Sequence, residues 1–281
     1  MPEKQLTRET LECFYKFLQE EERSEATIKK YMHDINAFYD FLEQEKEFGK
    51  EHIIFYKQYL QEHYKLTSAN SMLAALNVLL DWMELGQWKA KSFKIQRQMF
   101  YESDKVLSLA EYGRLIEAAR KRGNERLTLI LQTICGTGIR ISELVYITAE
   151  AVQSGRATVY GKGKNRIIFI TKKLQAYLQI YCRSRKIKKG PIFLTRTGKP
   201  VDRSNVWAEM KSLCEEAKVL WEKVFPHNLR HLFARTCYRQ NKDIVYLADI
   251  LGHSSVETTR IYTASSGKEH ERLLERMRLI I

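Results

Sequence analysis

The sequence predicts a mainly α-helical protein with two domains, the second of which carries a small antiparallel sheet. Three observations support this fold class. The 281 residues exceed the length of one typical domain. Apolar residues recur at helical spacing along most of the chain, as in Ile28, Tyr31 and Ile35. Only residues 156–170 show the β-type pattern of two runs around a glycine-rich loop.

The first domain is predicted over residues 1–86 as a bundle of four amphipathic helices without strands. Ser24 is the expected N-cap of the second helix, and either Thr67 or Ser68 that of the fourth. The third helix is expected over residues 52–64. Because each helix has one apolar stripe, the four together can bury a single core.

Residues 87–104 are predicted to form a basic linker, because helical periodicity lapses there. No acidic residue precedes Glu102 in this segment, and its positively charged residues are Lys89, Lys91, Lys94 and Arg97. A solvated tether and a segment that follows a phosphate backbone are equally good interpretations.

The second domain is predicted over residues 105–281. Ser108 is the expected N-cap of its first helix, because Glu111 completes a capping box. Two strands, 156–160 and 166–170, are expected to flank a five-residue loop at 161–165. The remaining segments are predicted helices at 109–121, 125–135, from about 139, and at 172–185, 203–217, 227–239, 243–251, 255–262 and 268–279.

The charge distribution favours a polyanionic partner for the second domain. The chain has a net charge of +13, but its first 100 residues hold 14 basic against 16 acidic residues, and the rest holds 33 against 18. Neither a signal-peptide core nor a run of roughly 18 apolar residues is present, so a cytoplasmic location is expected. Five scattered cysteines without a C-x-x-C pair argue against a disulfide framework.

Arg140 follows the break Gly136-Thr137-Gly138 and is expected in the first turn of a helix, where free backbone N–H groups favour an anion. Glu143 lies three residues later on the same face and can orient the guanidinium. Taken alone, this pair is more simply a surface ion pair. A dinucleotide-binding loop is excluded, because Ile141 stands where G-x-G-x-x-G requires glycine.

Lys162 is expected at the tip of the hairpin, where Gly161 and Gly163 let the backbone approach a groove. Lys164 adds a second positive charge to the same loop. A Walker-type nucleotide loop is excluded, because Gly163 replaces the required Ser or Thr. A merely solvated lysine is the simpler interpretation of Lys162 on its own.

His227 and Arg230 are expected on one face near a helix N-terminus, because Pro226 suits the first helical position. Such a site favours phosphate. His227 and His231 also have zinc-ligand spacing, but Asn228 replaces the metalloprotease glutamate and no further ligand lies nearby, so no metal is predicted. His231 is expected to be structural.

Tyr262 lies nine residues after His253, which one continuous helix would place on the opposite face. Gly252 can instead end one helix, and Ser254 or Ser255 can cap the next. The tyrosine can then fold back toward the histidine. By itself, a tyrosine on an amphipathic helix is usually a core residue.

In order and spacing, these four segments together resemble the motifs of the tyrosine recombinase family, especially Xer-type recombinases and short mobile-element integrases. The segments are GTGIRISEL at 136–144, GKG at 161–163, HNLRH at 227–231, and LGH at 251–253 followed by Tyr262. The resemblance covers residues 105–265 well. Over the first 100 residues, the helical architecture and a pattern at 24–42 are similar to the family's core-binding domain.

The resemblance implies an N-terminal core-binding domain, a C-terminal catalytic domain, and six catalytic residues: Arg140, Lys162, His227, Arg230, His253 and Tyr262. It implies that Tyr262 is the nucleophile, forming a covalent bond to the 3′-phosphate of DNA. Arg140 and Arg230 would bind the scissile phosphate, with Glu143 supporting the first arginine. His227 and His253 would donate hydrogen bonds or exchange protons there, and Lys162 would protonate the departing 5′-oxygen.

The resemblance also implies the partners. They are double-stranded DNA with inverted-repeat core sites and three further copies of the chain, which form a homotetramer on two sites. No cofactor and no metal are implied, and the need for an accessory protein stays open. The linker lysines, Arg97 and Lys164 would contact DNA. Residues 268–281 carry a short apolar stripe and would dock into a neighbouring protomer, although packing on their own domain is the simpler alternative.

Two other functions fit parts of this pattern. A type IB topoisomerase shares the covalent chemistry but relaxes supercoils without pairing two sites. A catalytically inactive DNA-binding regulator would need no complete set of catalytic residues. Within the recombinase interpretation, dimer resolution, integration or excision of a mobile element, and inversion all stay open.

Overall fold

The computed structural model describes residues 4–42, 46–95, 105–161, 164–253, 255–262, 271 and 275–277. It is mainly helical, which confirms the predicted fold class. The chain divides into two compact units, Met1–Arg97 and Gln98–Ile281. Each unit has its own hydrophobic core. Among the described helices, none combines the length and the apolar character needed to cross a bilayer.

The first unit contains the four predicted helices, which are α1 (Arg8–Glu20), α2 (Glu25–Phe41), α3 (Lys50–His63) and α4 (Leu66–Trp82). Ser24 caps α2 as predicted, since its hydroxyl accepts a hydrogen bond from the Thr27 N–H. The predicted cap of α4 is wrong. The helix begins one residue before Thr67, after Lys65, and lacks a side-chain cap.

The expectation of no strands in this unit is also wrong. Strand β1 (Lys4–Gln5) pairs antiparallel with β2 (Glu47–Phe48). Two residues are too few to produce a detectable alternation of apolar and polar side chains. The short pair ties the start of the chain to the segment before α3.

Part of the predicted linker lies against α4. A short 3₁₀ turn at Gly86–Trp88 buries Trp88 in the core of the first unit. The Asn77 amide then exchanges two hydrogen bonds with the Ala90 backbone, and the Asn70 amide does the same with Phe93. These four bonds hold residues 90–93 along the helix. Residues 96–104, including Arg97, lie outside the described residues.

The second unit begins with α5, and its predicted capping box is confirmed by reciprocal bonds between Ser108 and Glu111. Its helices and strands are α5 (Leu109–Lys121), α6 (Glu125–Thr137), α7 (Ala149–Ser154), β3 (Arg156–Gly161), β4 (Lys164–Phe169), α8 (Lys172–Ser184), α9 (Arg203–Ser212), α10 (Cys214–Ala217), α11 (Pro226–Asn241), α12 (Ile244–Leu251) and α13 (Val256–Thr259). Helices α5, α6 and α11 pack together around the core.

Strands β3 and β4 form the predicted hairpin, with Arg156 opposite Phe169 and Gly161 opposite Lys164. The predicted five-residue loop is too long, because the pairing continues to Gly161 and Lys164. Lys164 therefore belongs to β4. Lys162 lies outside the described residues.

Three local predictions differ from the structure. The helix expected from about 139 is a 3₁₀ turn at Ile141–Tyr146, with Arg140 as its extended N-cap residue. The helix expected at 203–217 is interrupted at Leu213. The helix expected at 227–239 extends from Pro226 to Asn241 and ends at Lys242, a left-handed residue at φ +55°.

Candidate active site

The end of α6 approaches α11 closely at Gly138. This residue has φ +68°, and a Cβ added there would lie 2.3 Å from the Phe233 ring. Only glycine satisfies both conditions, because it tolerates positive φ and has no side chain. The Gly138 carbonyl then accepts a hydrogen bond from Arg230 Nη1 at 2.6 Å. The glycine break thus brings one backbone acceptor to a buried arginine.

Glu143 is a buried carboxylate that accepts hydrogen bonds from two arginines. Its Oε1 accepts from Arg140 Nη1 at 2.9 Å, and its Oε2 accepts from the Arg140 backbone N–H at 2.6 Å. Arg166 Nη2 donates to Oε2 as well, also at 2.6 Å. The pair between Arg140 and Glu143 is therefore not the simple surface ion pair that the segment alone suggests.

Arg230 is the most enclosed of the charged side chains at this site, with only 1% of its surface exposed. Besides Gly138, its guanidinium donates from Nη2 to the Leu251 carbonyl at 2.8 Å and to His253 Nε2 at 3.0 Å. Burial, and next the charge of Arg140, lowers the pKa of Arg230 to about 10. Arg230 therefore stays charged at neutral pH.

His253 links this arginine to the start of the last helical turn. Because an arginine can only donate, His253 Nε2 must accept, and Nδ1 carries the ring proton toward Thr259 Oγ1, 2.8 Å away. Burial, and next the charges of Arg230 and Arg140, lowers the pKa of His253 to about 4. The imidazole is therefore neutral at neutral pH.

Tyr262 lies between two histidine rings. The break at Gly252, with φ +63°, and the Ser255 cap of α13 bring the tyrosine back toward α12. The ring of His253 stacks on Tyr262 with centroids 6.0 Å apart, and His231 meets it edge-on at 4.6 Å. Only 3% of Tyr262 is exposed, and it interacts with the Arg230 guanidinium through a side-chain hydrogen bond.

A cleft with a volume of about 370 Å³ opens beside these residues. Arg140, His227 and Arg230 line it, together with Arg203 and Trp207 of α9. Burial, and next the charge of Arg230, lowers the pKa of His227. His227 also meets the ring of His231 edge-on at 4.8 Å. The cleft therefore combines the guanidiniums of Arg140, Arg203 and Arg230 with an imidazole whose protonation is disfavoured.

The structure brings five of the six predicted catalytic residues together, namely Arg140, His227, Arg230, His253 and Tyr262. Lys162 lies outside the described residues. In the first unit, Lys89 forms an ion pair with Asp81 at 2.5 Å, while Lys91 and Lys94 lie in the segment beside α4.

Sequence reasoning missed Arg166 and Thr259. Arg166 alternates with Ile168 in β4 and with Ile170 directly after the strand, and both isoleucines are buried, so the strand period places all three on the inward face. An arginine at an inward strand position was the available signal. Thr259 is fully buried, but its contact with His253 depends on the chain reversal at Gly252 and has no local signal.

Comparison with known families identifies both units. The model of the phage integrase family matches residues 105–269, and that of the phage integrase N-terminal SAM-like domain matches residues 11–85. The chain belongs to the phage integrase family. The family assignment inferred from the four motifs is thus confirmed. This protein is a site-specific tyrosine recombinase, an enzyme that cleaves and rejoins DNA strands.

Individual relatives support the assignment over the full length. The chain is 30% identical to the tyrosine recombinase XerA of Pyrococcus furiosus, covering 100% of this chain and 98% of that protein. It is also 30% identical to the tyrosine recombinase XerD of Staphylococcus saprophyticus, and the match covers 90% of this chain and 92% of that protein. The fold is similar to that of a lambda integrase tetramer bound to a Holliday junction, with a TM-score of 0.70 at 17% identity over 90% of this chain and 76% of that one.

Proposed function

We propose that Tyr262 of this recombinase attacks the scissile phosphate of a duplex core site and that Arg140 and Arg230 bind its nonbridging oxygens. The observation that carries the proposal is the cluster of Tyr262, Arg230 and His253, joined by ring contacts and hydrogen bonds. Three separate sequence motifs supply these side chains and those of the adjoining cleft. No single motif would require that proximity.

In the proposed step, the tyrosine oxygen forms a bond to phosphorus while the bond from phosphorus to the 5′-oxygen breaks. Negative charge accumulates on the nonbridging oxygens, and planar guanidiniums that stay ionised are suited to bind it. Loss of one such donor costs about 3 kcal/mol, or roughly 100-fold in rate. Arg140 is 40% exposed and lines the cleft, so it can reach a bound phosphate.

Proton transfer needs one acceptor and one donor. A tyrosine has an ordinary pKa of about 10, so a neutral imidazole nearby assists its deprotonation. The lowered pKa of His227 favours that neutral form, so His227 is proposed as the acceptor. His253 Nε2 already accepts from Arg230, so His253 is proposed to act as a hydrogen-bonding partner of that arginine. Lys162 is proposed to protonate the departing 5′-oxygen. The phosphotyrosine bond conserves the energy of the broken ester, so rejoining reverses the same steps.

The proposed assembly is a homotetramer on two duplex core sites with inverted-repeat arms. The lambda integrase structure named above is a tetramer on DNA and has the same fold. The linker lysines, Arg97 and Lys164 are proposed to contact the DNA backbone, and residues 268–281 to dock into a neighbouring protomer. Deleting residues 268–281 is expected to abolish pairing of two sites while single-site binding persists, as measured by gel shift. Unchanged pairing would refute the docking.

A suicide substrate tests the chemistry. A duplex core site, selected from a random pool by binding, is nicked so that the short fragment released by cleavage diffuses away. Wild type is expected to form a covalent protein–DNA adduct on a denaturing gel, and Tyr262→Phe none. Tyr246→Phe is the matched control, because Tyr246 is exposed on α12, outside the cluster. An adduct with Tyr262→Phe would exclude this nucleophile.

A further inference from the structure

Arg166 is a third arginine at the active site, and it comes from the hairpin. Its Nη2 donates to Glu143 Oε2 at 2.6 Å, and its Nη1 donates to the Leu251 carbonyl at 2.5 Å. One guanidinium therefore connects β4 to the carboxylate that orients Arg140 and to the last turn of α12. The same Leu251 carbonyl accepts from Arg230.

The arginine is largely enclosed by protein and lies outside the lining of the cleft. Its side chain is 14% exposed, its Nε is buried without a hydrogen-bond partner, and it does not line the cleft that holds Arg140 and Arg230. Both Nη groups are already engaged with protein acceptors. Arg166 thus directs hydrogen bonds from both Nη groups at protein acceptors, and it does not line the cleft.

The backbone around Arg166 is shaped to admit it. Gly252 has φ +63°, and a Cβ added there would lie 2.4 Å from Arg166 Nη1. The turn after α12 therefore needs glycine for its conformation and for the space that the guanidinium occupies. Arg166 is therefore held in one position by its two acceptors, and Gly252 leaves the space that its guanidinium occupies.

We infer that Arg166 is a positioning residue for phosphate binding, acting through Glu143 on Arg140 and through the Leu251 carbonyl on Arg230. This inference rests on the proposed function, in which those two arginines bind the scissile phosphate. These two contacts connect strand β4 to both arginines. Without Arg166, Glu143 would keep Arg140 as its arginine partner, and the Leu251 carbonyl would keep Arg230 as its arginine donor.

The distinguishing experiment uses a core site whose scissile phosphate is replaced by a methylphosphonate. One nonbridging oxygen is then a methyl group, so the ester is uncharged and its reaction depends less on arginine charge. Arg166→Ala is expected to slow adduct formation about 100-fold on the phosphodiester and less than about 10-fold on the methylphosphonate, each relative to wild type. A defect of equal size on both substrates would overturn the inference.

Two controls keep the outcome specific. Arg140→Ala must show the same relief on the methylphosphonate, and if it does not, the proposed function itself fails. If Arg140→Ala is relieved and Arg166→Ala is not, only the positioning role fails. Arg156→Ala removes an exposed arginine of β3, on the same hairpin, and is expected to react like wild type on both substrates.

A second variant separates loss of the positioning role from loss of folding. Arg166→Lys keeps the positive charge, but a single ammonium does not reproduce the planar fork that meets both acceptors. If Arg166→Ala does not fold, as judged by thermal unfolding, Arg166→Lys is used. It is expected to show a smaller phosphodiester defect that also shrinks on the methylphosphonate. Equal defects on the two substrates would again contradict the role.

Discussion

Arg230 Nη2 donates a hydrogen bond to His253 Nε2 across 3.0 Å, and this contact requires an imidazole that is unprotonated at Nε2. The opposite nitrogen lies 2.8 Å from Thr259 Oγ1. Protonating His253 would therefore place a second positive charge against a buried guanidinium. The protonation state of this histidine is linked to the stability of the fold.

Acid is expected to destabilise the second unit before its carboxylates titrate. The pKa values of His231 and His253 are both lowered to about 4, whereas an unfolded histidine has a pKa near 6.5. Between about pH 6.5 and 4 the unfolded chain binds more protons, so the unfolding free energy falls as the pH falls. Thermal unfolding midpoints between pH 7.5 and 5 measure this effect.

The variant His231→Gln tests the origin of that slope. Removing one such histidine should flatten the dependence by at most about 1.4 kcal/mol per pH unit. His33→Gln removes an exposed histidine of the first unit and should leave the slope unchanged. A slope that is identical in His231→Gln and wild type would show that other groups cause the acid effect.

Alanine substitutions at two glycines with similar φ angles distinguish the cost of backbone strain from the cost of steric overlap. Gly123 has φ +65° and open space around its Cα, whereas a Cβ at Gly138 would lie 2.3 Å from Phe233. Gly123→Ala should cost about 1–2 kcal/mol of unfolding free energy from the left-handed conformation. Gly138→Ala should cost about 1–3 kcal/mol more from overpacking. Denaturant titration measures both, and equal costs would contradict the close approach at Gly138.

Glu143 should be far more sensitive to truncation than a surface carboxylate. Glu143→Ala leaves two arginines without their shared acceptor and is expected to cost about 3–5 kcal/mol. Glu216→Ala removes a partner of Arg122 that is 33% exposed, and should cost no more than about 1 kcal/mol. Urea unfolding of the two variants gives the comparison. A cost for Glu143→Ala as small as that of the control would mean that the cluster rearranges freely.

The contact between α4 and the segment after it predicts a local change in hydrogen exchange. Asn77→Ala removes both bonds to the Ala90 backbone, so the Ala90 amide should exchange at least about 5-fold faster, for a loss of about 1 kcal/mol. Asn36→Ala is the control, because the Asn36 amide donates to the Met32 carbonyl within its own helix. Equal exchange rates at Ala90 in both variants would show that other contacts hold the segment.

Much of the fold followed from local sequence signals. The range predicted for α5 matches the structure, since Ser108 and Glu111 cap it within three residues of chain. The prediction for α4 missed its start by one or two residues, because tertiary packing outweighed the preference for a Ser or Thr cap. The β1–β2 pair was invisible, since its two strands are two residues long and about 40 residues apart.

For the candidate active site, the sequence indicated which side chains come together better than how they are arranged. The four motifs named Arg140, Arg230 and Tyr262, and the structure brings these three side chains into one cluster. Their hydrogen bonds were not predictable, because two of the acceptors of Arg230 are backbone carbonyls, which any residue type supplies. Arg166 was overlooked for a related reason: its acceptors lie on two other elements, 23 and 85 residues away.

The Leu251 carbonyl has a consequence for how this enzyme is studied. Two arginines from different elements donate to this one main-chain oxygen, and no side-chain substitution removes it. An alanine scan would assign position 251 to the hydrophobic core, since its side chain is fully buried. Only an edit of the chain itself, such as inserting one residue between α12 and Gly252, would displace the acceptor. At position 251, the place of the main chain therefore matters to the arginine cluster independently of the side chain.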